Sequence, residues 1–166
     1  MWRVGGEPRY GLIAGAILLA AVNAGCAKKP QADSAQRVAG GVDASVQPGT
    51  PRDFSVNVGD RVHFATDSAE LNADSRGVLN GQAQWLGNYP NYRITVEGHS
   101  DERGTREYNL ALAARRAAAV KGYLERHGVS ARRMSTISYG KERPVALCDD
   151  SVCWSQNRRA VSVVTY

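Results

Sequence analysis

The chain lacks an apolar run long enough to cross a bilayer as a helix. Its apolar stretch from Gly11 to Val22 has 12 residues, against the ~20 that a spanning helix needs, which excludes a polytopic membrane protein. It also lacks an internal repeat and a concentrated run of one charge sign. The 21 Lys+Arg and 16 Asp+Glu give +5 overall, but the charge is spread. Residues 1–25 carry two positive and one negative group, 26–53 four and three, and 54–166 fifteen and twelve. A pI near 9.3 is compatible with a polyanionic partner, but no basic stripe suited to nucleic acid is present. Cysteine is scarce, at three residues. In an oxidising compartment an odd number leaves one unpaired or chemically used. Metal-ligand spacing is missing too. Cys148 and Cys153 have no His or Cys partners placed to complete a zinc site, and His63, His99 and His127 are scattered. What is present, 43% hydrophobic and 22% charged residues over 166, suits one globular domain with extensions and not wholesale disorder.

The N-terminus reads as an address. Arg3 and Arg9 precede the short apolar run, and small residues follow it, as in a secretory signal over 1–25. The run ends in Asn23-Ala24-Gly25-Cys26. Small residues directly before a cysteine resemble the bacterial lipobox, although Asn23 stands where that pattern has an aliphatic residue. Cys26 is thus the expected lipidation site, and several acyl chains on one residue give stable anchoring. Ala27 and Lys28 follow, with no Asp after the cysteine, which resembles lipoproteins of the outer membrane. Residues 26–53 are rich in Ala, Gly, Ser, Pro, Gln and Asp, with few large apolar groups. They read as a flexible tether that spans roughly 30 Å as a coil.

From Phe54 the texture changes. Val56, Val58, Val62 and Phe64 around Gly59-Asp60 predict a strand or hairpin. Asn72 is placed to cap a helix, Asp74 suits its first turn, and Val78, Leu79, Ala83 and Leu86 recur at near-helical spacing until Asn88 and Pro90. Tyr92, Ile94 and Val96 alternate with polar residues as in a half-buried strand. A polar loop follows over 98–105, then a long helix over 106–127 with Gly128 as its stop. Residues 134–139 predict a third strand, 144–159 a loop and 160–166 a last strand. The expected domain, 54–166, is therefore a two-layer α/β (α+β) fold, βαβαββ, with helices on one face of a mixed sheet.

One stripe of the long helix carries chemistry. Asn109, Leu112, Ala113, Arg116, Ala117, Val120, Tyr123, Leu124 and His127 recur at i, i+3, i+4 spacing. Most are small or apolar and should face the sheet, and Arg116 sits among them. A buried guanidinium needs a carboxylate or anion to meet it, unless it only snorkels or makes a structural ion pair. Asp101 lies in the loop before the helix, near amides that favour anions. An Arg and an Asp facing one pocket form a receptor for a zwitterion. Cys148 and Cys153 read as a structural disulfide of an exported protein. Trp154 reads as a packing anchor, and Trp85 and Tyr89 as core or interface residues.

The stretch RITVEGHSDERGTREYNLALAARRAAAVKGYL (93–124) resembles the OmpA-like peptidoglycan-binding domain. FATDSAEL (64–71), GHSDERGTREYN (98–109), ISYGKERP (137–144) and NRRAV (157–161) resemble its lipid-anchored, peptidoglycan-associated branch. The likeness covers about 54–166, and the lipobox and tether fit it. The family's helix motif is met by Asn109, Leu112, Arg116-Ala117, Val120 and Leu124, with Ala113 in place of a Ser. The resemblance implies that Asp101 and Arg116 hold meso-diaminopimelate of the peptidoglycan stem peptide. It further implies contacts from Thr66 and Asp67, and support from His99 and Asn109. It implies a non-catalytic outer-membrane lipoprotein facing the periplasm, without cofactor, working with TolB and the Tol system in envelope integrity and cell division. Two alternatives stand beside it. Asp101, Glu102 and Glu107 could be cast as the carboxylates of a peptidoglycan-cleaving enzyme, but several arginines beside them would hold them ionised. A motor stator using the same module would need an uncleaved spanning helix.

Overall fold

The computed structural model describes residues 46–166. The signal at 1–25, Cys26 and most of the 26–53 tether lie outside the described residues.

Folding begins ahead of Phe54. The Thr50 hydroxyl caps a helical turn, α1 (Pro51–Asp53), by accepting from the Asp53 amide at 3.1 Å, and Pro51 takes the first position, where its missing N–H matters least. Asp53 is buried, and its carboxylate accepts from the Gly49 amide, Asn57 Nδ2 and Trp85 Nε1, each at 2.8 Å. Tyr92 donates its hydroxyl to the Gly49 carbonyl at 2.8 Å. The boundary expected between 53 and 54 therefore falls inside packed structure.

A second difference follows directly. Phe54–Gly59 continues α1 as a wide π-helical turn instead of forming a strand. Phe54 and Val58, four apart, turn inward, while Val56 is 55% exposed. Valines two apart imitate strand alternation, but the capped turn before them sets a helical course.

β1 is short, Arg61–His63. α2 (Ala73–Asn88) begins as the sequence indicates, with the Asn72 side chain accepting from the Ser75 amide at 2.8 Å and Asp74 in the first turn. β2 (Arg93–His99) sends Ile94 and Val96 toward the helices. α3 (Arg106–Arg126) is capped by Thr105, and Gly128 at φ +92° closes its end. Met134–Gly140 forms β3 and Arg159–Thr165 forms β4. The strand order is β1-β4-β2-β3, with β2 and β3 parallel and the other pairs antiparallel. α2 and α3 share one face of this mixed sheet. Leu79, Leu86, Val120 and Leu124 meet Ile94, Val96 and Ala160 in a single core. This is the expected two-layer α/β arrangement.

Two details position the loops at one end of the sheet. Gly98 lies so close to α3 that a Cβ there would overlap the Ala113 carbonyl, so the helix packs directly onto the strand that leads into the 100–105 loop. The segment 144–159, expected as a loop, contains α4 (Ser151–Asn157). Asp150 caps it, accepting from the amides of Val152 at 2.8 Å and Cys153 at 3.0 Å. Cys148 and Cys153 form a disulfide with Cα atoms 5.6 Å apart, within the ordinary range.

Candidate functional site

Four segments converge where β1 and β2 end: the 64–71 loop, the 100–105 loop, the first half of α3, and α4. Arg116 ties the first three together. It is wholly buried, at 0% exposure. It donates through Nε to the Ser68 carbonyl at 2.8 Å, through Nη1 to His99 at 2.9 Å and through Nη2 to Ala65 at 3.1 Å. Three of the guanidinium's five N–H groups are thus used to shape two loops. Burial pushes its pKa down to about 10, with Asp101 opposing that shift. It remains a cation at neutral pH.

Asp101 is also buried, but its direct partners are not Arg116. It accepts from Arg103 Nη2 at 2.7 Å and from Arg158 Nη1 at 3.3 Å. Burial alone would raise its pKa, but those two guanidinium groups outweigh it and hold the carboxyl below the ordinary carboxylate range. The 100–105 loop is fixed from behind. The Ser100 hydroxyl donates to the Asn109 carbonyl at 2.9 Å, and Asn109 Nδ2 donates to the carbonyls of Arg103 at 2.7 Å and Thr105 at 3.1 Å. In the 64–71 loop Asp67 adopts φ +54°. This left-handed conformation is tolerated best by Asp, Asn and Gly and is over-represented at functional sites. The Tyr108 hydroxyl donates to the Asp67 carboxylate and bridges that loop to α3.

These groups enclose a cavity of about 310 Å³, at the small end of the range for ligand pockets. Thr66 and Asp67 line one wall, and Asp101, Arg103 and Gly104 another. Tyr108, Asn109, Leu112 and Arg116 form the floor. Two carboxylates and two guanidinium groups beside the Tyr108 and Leu112 side chains suit a small ligand that carries both an ammonium and a carboxylate.

Five of the six residues expected to bind, Thr66, Asp67, Asp101, Asn109 and Arg116, line this one cavity. The sixth, His99, does not. Its ring stacks on Tyr139 with centroids 5.5 Å apart, on the sheet face away from the helices. Its contribution to the site is a backbone carbonyl, not its imidazole. Arg103, Gly104, Tyr108 and Leu112 complete the lining, and Arg158 stands behind Asp101. Tyr108, Leu112 and Arg116 are four apart on α3, so helical spacing alone could have identified Tyr108. Arg103 and Arg158 lack such a signal, because their role arises from tertiary contact. Among the described residues Cys148, Asp150 and Cys153 bring ligand-type atoms together, but both sulfurs are committed to the disulfide.

Comparison with known proteins places this geometry. The OmpA family model matches residues 63–165. A peptidoglycan-associated lipoprotein of Agrobacterium fabrum is 61% identical over 150 residues, 90% of this chain and 85% of that protein. The crystal structure of the peptidoglycan-associated lipoprotein from Burkholderia pseudomallei superposes with a TM-score of 0.66 at 40% identity, over 70% of this chain and all of that one. The C-terminal domain of Helicobacter pylori MotB superposes with a TM-score of 0.60 at 27% identity, over 64% and 84% of the two chains.

Proposed function

The chain belongs to the OmpA family, and we propose that it is a lipoprotein of the outer membrane that holds peptidoglycan non-covalently through the stem peptide. The observation that carries this reading is the convergence of Asp67, Asp101, Arg103 and Arg116 on one cavity. Meso-diaminopimelate offers a free carboxylate and ammonium at the end of its side chain. The carboxylate meets the N–H groups that Arg116 does not spend on backbone carbonyls, with Arg103 beside it. The ammonium meets Asp101 and Asp67. Lysine at the same stem position lacks the carboxylate and leaves a buried guanidinium unmatched. A site built for a polar group rejects such an analogue strongly.

The protein acts by grip, not by chemistry. Asp101 is held ionised, the reverse of what a general acid requires. In this reading residues 1–25 are removed, Cys26 carries the lipid, and the segment up to the folded domain reaches from the membrane toward the wall. Partnership with TolB and the Tol system in envelope integrity and division belongs to the same proposal and rests on family likeness.

Co-sedimentation with isolated sacculi tests the grip. Asp101→Asn keeps the shape and removes the charge, and should lower the pelleted fraction sharply. It also leaves Arg103 and Arg158 without their carboxylate, so melting falls as well, and pelleting is read on the folded protein well below that melting. Removing one partner of a buried charge pair costs about 2–5 kcal/mol of binding, roughly thirtyfold or more in Kd. Arg116→Ala should also abolish pelleting, but it strips three loop carbonyls of their donor and so destabilises the fold as well. Undiminished pelleting of Asp101→Asn refutes the assignment.

A further inference from the structure

We infer that α4 is a disulfide-clipped buttress for the 101–103 loop, with Trp154 as its positioning residue, so that grip on the ligand depends on the thiol state of Cys148 and Cys153. This rests on the ligand reading above. The middle of α4 and its C-terminal cap both reach the loop. Trp154 Nε1 donates to Glu102 Oε1 at 2.8 Å, and the Arg103 guanidinium lies over the Trp154 ring, 4.2 Å from its centroid. Arg103 in turn holds Asp101 at 2.7 Å. Arg158, the residue that ends α4, donates to Asp101 at 3.3 Å and to the Phe64 carbonyl at 3.1 Å. The two wall carboxylates thus take their setting partly from a helix outside the cavity lining, because Phe64 leads into the loop that bears Asp67.

What holds α4 is local. Seven residues are too few for a helix to persist alone. Asn157 is buried and fastens its end, accepting from the Val145 amide at 2.8 Å and donating to the Ala146 carbonyl at 2.8 Å. The disulfide fastens its first turn to the segment before it. Cys153 is buried in α4, while Cys148 is exposed, which gives a reductant access to the bond. Dithiothreitol supplies two electrons and two protons. The S–S bond breaks, each sulfur becomes a thiol, and the reagent closes to its own disulfide. The first turn then keeps the Asp150 cap and the bond from the Trp154 amide to the Asp150 carbonyl at 3.0 Å, but without the clip to the preceding segment Trp154 is held less firmly over Arg103.

The test uses the full chain and a soluble muropeptide with a diaminopimelate stem. Reduction and Trp154→Ala should each weaken Kd by roughly tenfold, the size of a lost cation–π contact with its hydrogen bond. Reducing the Trp154→Ala protein should add little, because both act through one contact. Trp154→Phe keeps a ring under Arg103 and should recover most of the affinity, which a loss of general packing would not explain. The Cys148→Ser, Cys153→Ser double variant should match the reduced protein. Amide exchange over 100–105 reads the buttress without ligand and should accelerate on reduction and in Trp154→Ala. Unchanged exchange, or a Kd within twofold in the reduced protein, overturns the inference. Failure of the oxidised wild type to bind the muropeptide instead overturns the ligand reading, and exchange still decides the buttress.

Discussion

Tyr92, at the entrance of β2, and Asp101, just past its exit, sit in opposite surroundings. At the entrance the chain stacks aromatics. Trp85 meets Phe54 and Tyr92 with centroids 5.0 Å apart and Tyr89 at 4.7 Å, and Tyr92 meets Tyr166 at 4.5 Å. Trp85 is paired with Asp53 and Tyr92 with the Gly49 carbonyl. At the exit the chain gathers charge around a cavity, bends Asp67 into a left-handed conformation and buries a guanidinium. It also leaves both ring nitrogens of His99 buried with no hydrogen-bond partner among the described residues, the nearest carboxylate, Glu97, being 3.7 Å away. One end satisfies the rules of a stable core and the other departs from them. Departures of that kind collect where a protein binds or reacts.

The sharpest way to break this division is at the aromatic end. Trp85→Ala should lower unfolding free energy by about 3–5 kcal/mol, measured by urea denaturation, while muropeptide affinity of the folded fraction is unchanged. Lost affinity would mean that the two ends are coupled.

The second test concerns the exit. Burial, with Arg159 and Arg143 nearby, lowers the His99 pKa to about 4, so the folded state favours the neutral ring. The unfolded chain, titrating near 6.5, then binds more protons between those values. Stability is full above about pH 6.5 and falls as pH drops toward 4, by at most about 1.4 kcal/mol per pH unit for one site. His99→Gln should flatten this slope in urea midpoints. His63, lowered by burial and by Arg61, leaves a remainder. An unaltered slope would remove His99 as its source.

The smallest effect lies at the domain's edge. Thr50→Ala removes the cap of α1 and should destabilise the domain by about 1 kcal/mol. No change in melting would return residues 46–53 to the tether.

The parts legible in the sequence were those whose signal repeats. α2, α3 and β2 have enough residues for spacing to declare itself, and Asn72 and Gly128 mark the ends. Arg116 was legible because one cation interrupts an apolar stripe. The π-helical turn at 54–59 was not, since Val56 and Val58 fit either period over so short a length. α4 was hidden for the same reason. Asp53 read as a linker residue because its partner, Trp85, lies 32 positions away. Arg158 reaches Asp101 across 57 positions, and no local pattern records that pairing. The anion Asp101 and the buried cation Arg116 are both marked in the sequence. No sequence signal records that backbone carbonyls hold Arg116 while two other arginines hold Asp101.

In the proposed function the cavity reads both charges on one amino-acid end. Titration calorimetry of the full chain with two muropeptides, identical except for diaminopimelate or lysine in the stem, tests it most directly. Binding of the first, with at least about a hundredfold weaker binding of the second, is the predicted result. Equal affinity for both would contradict it.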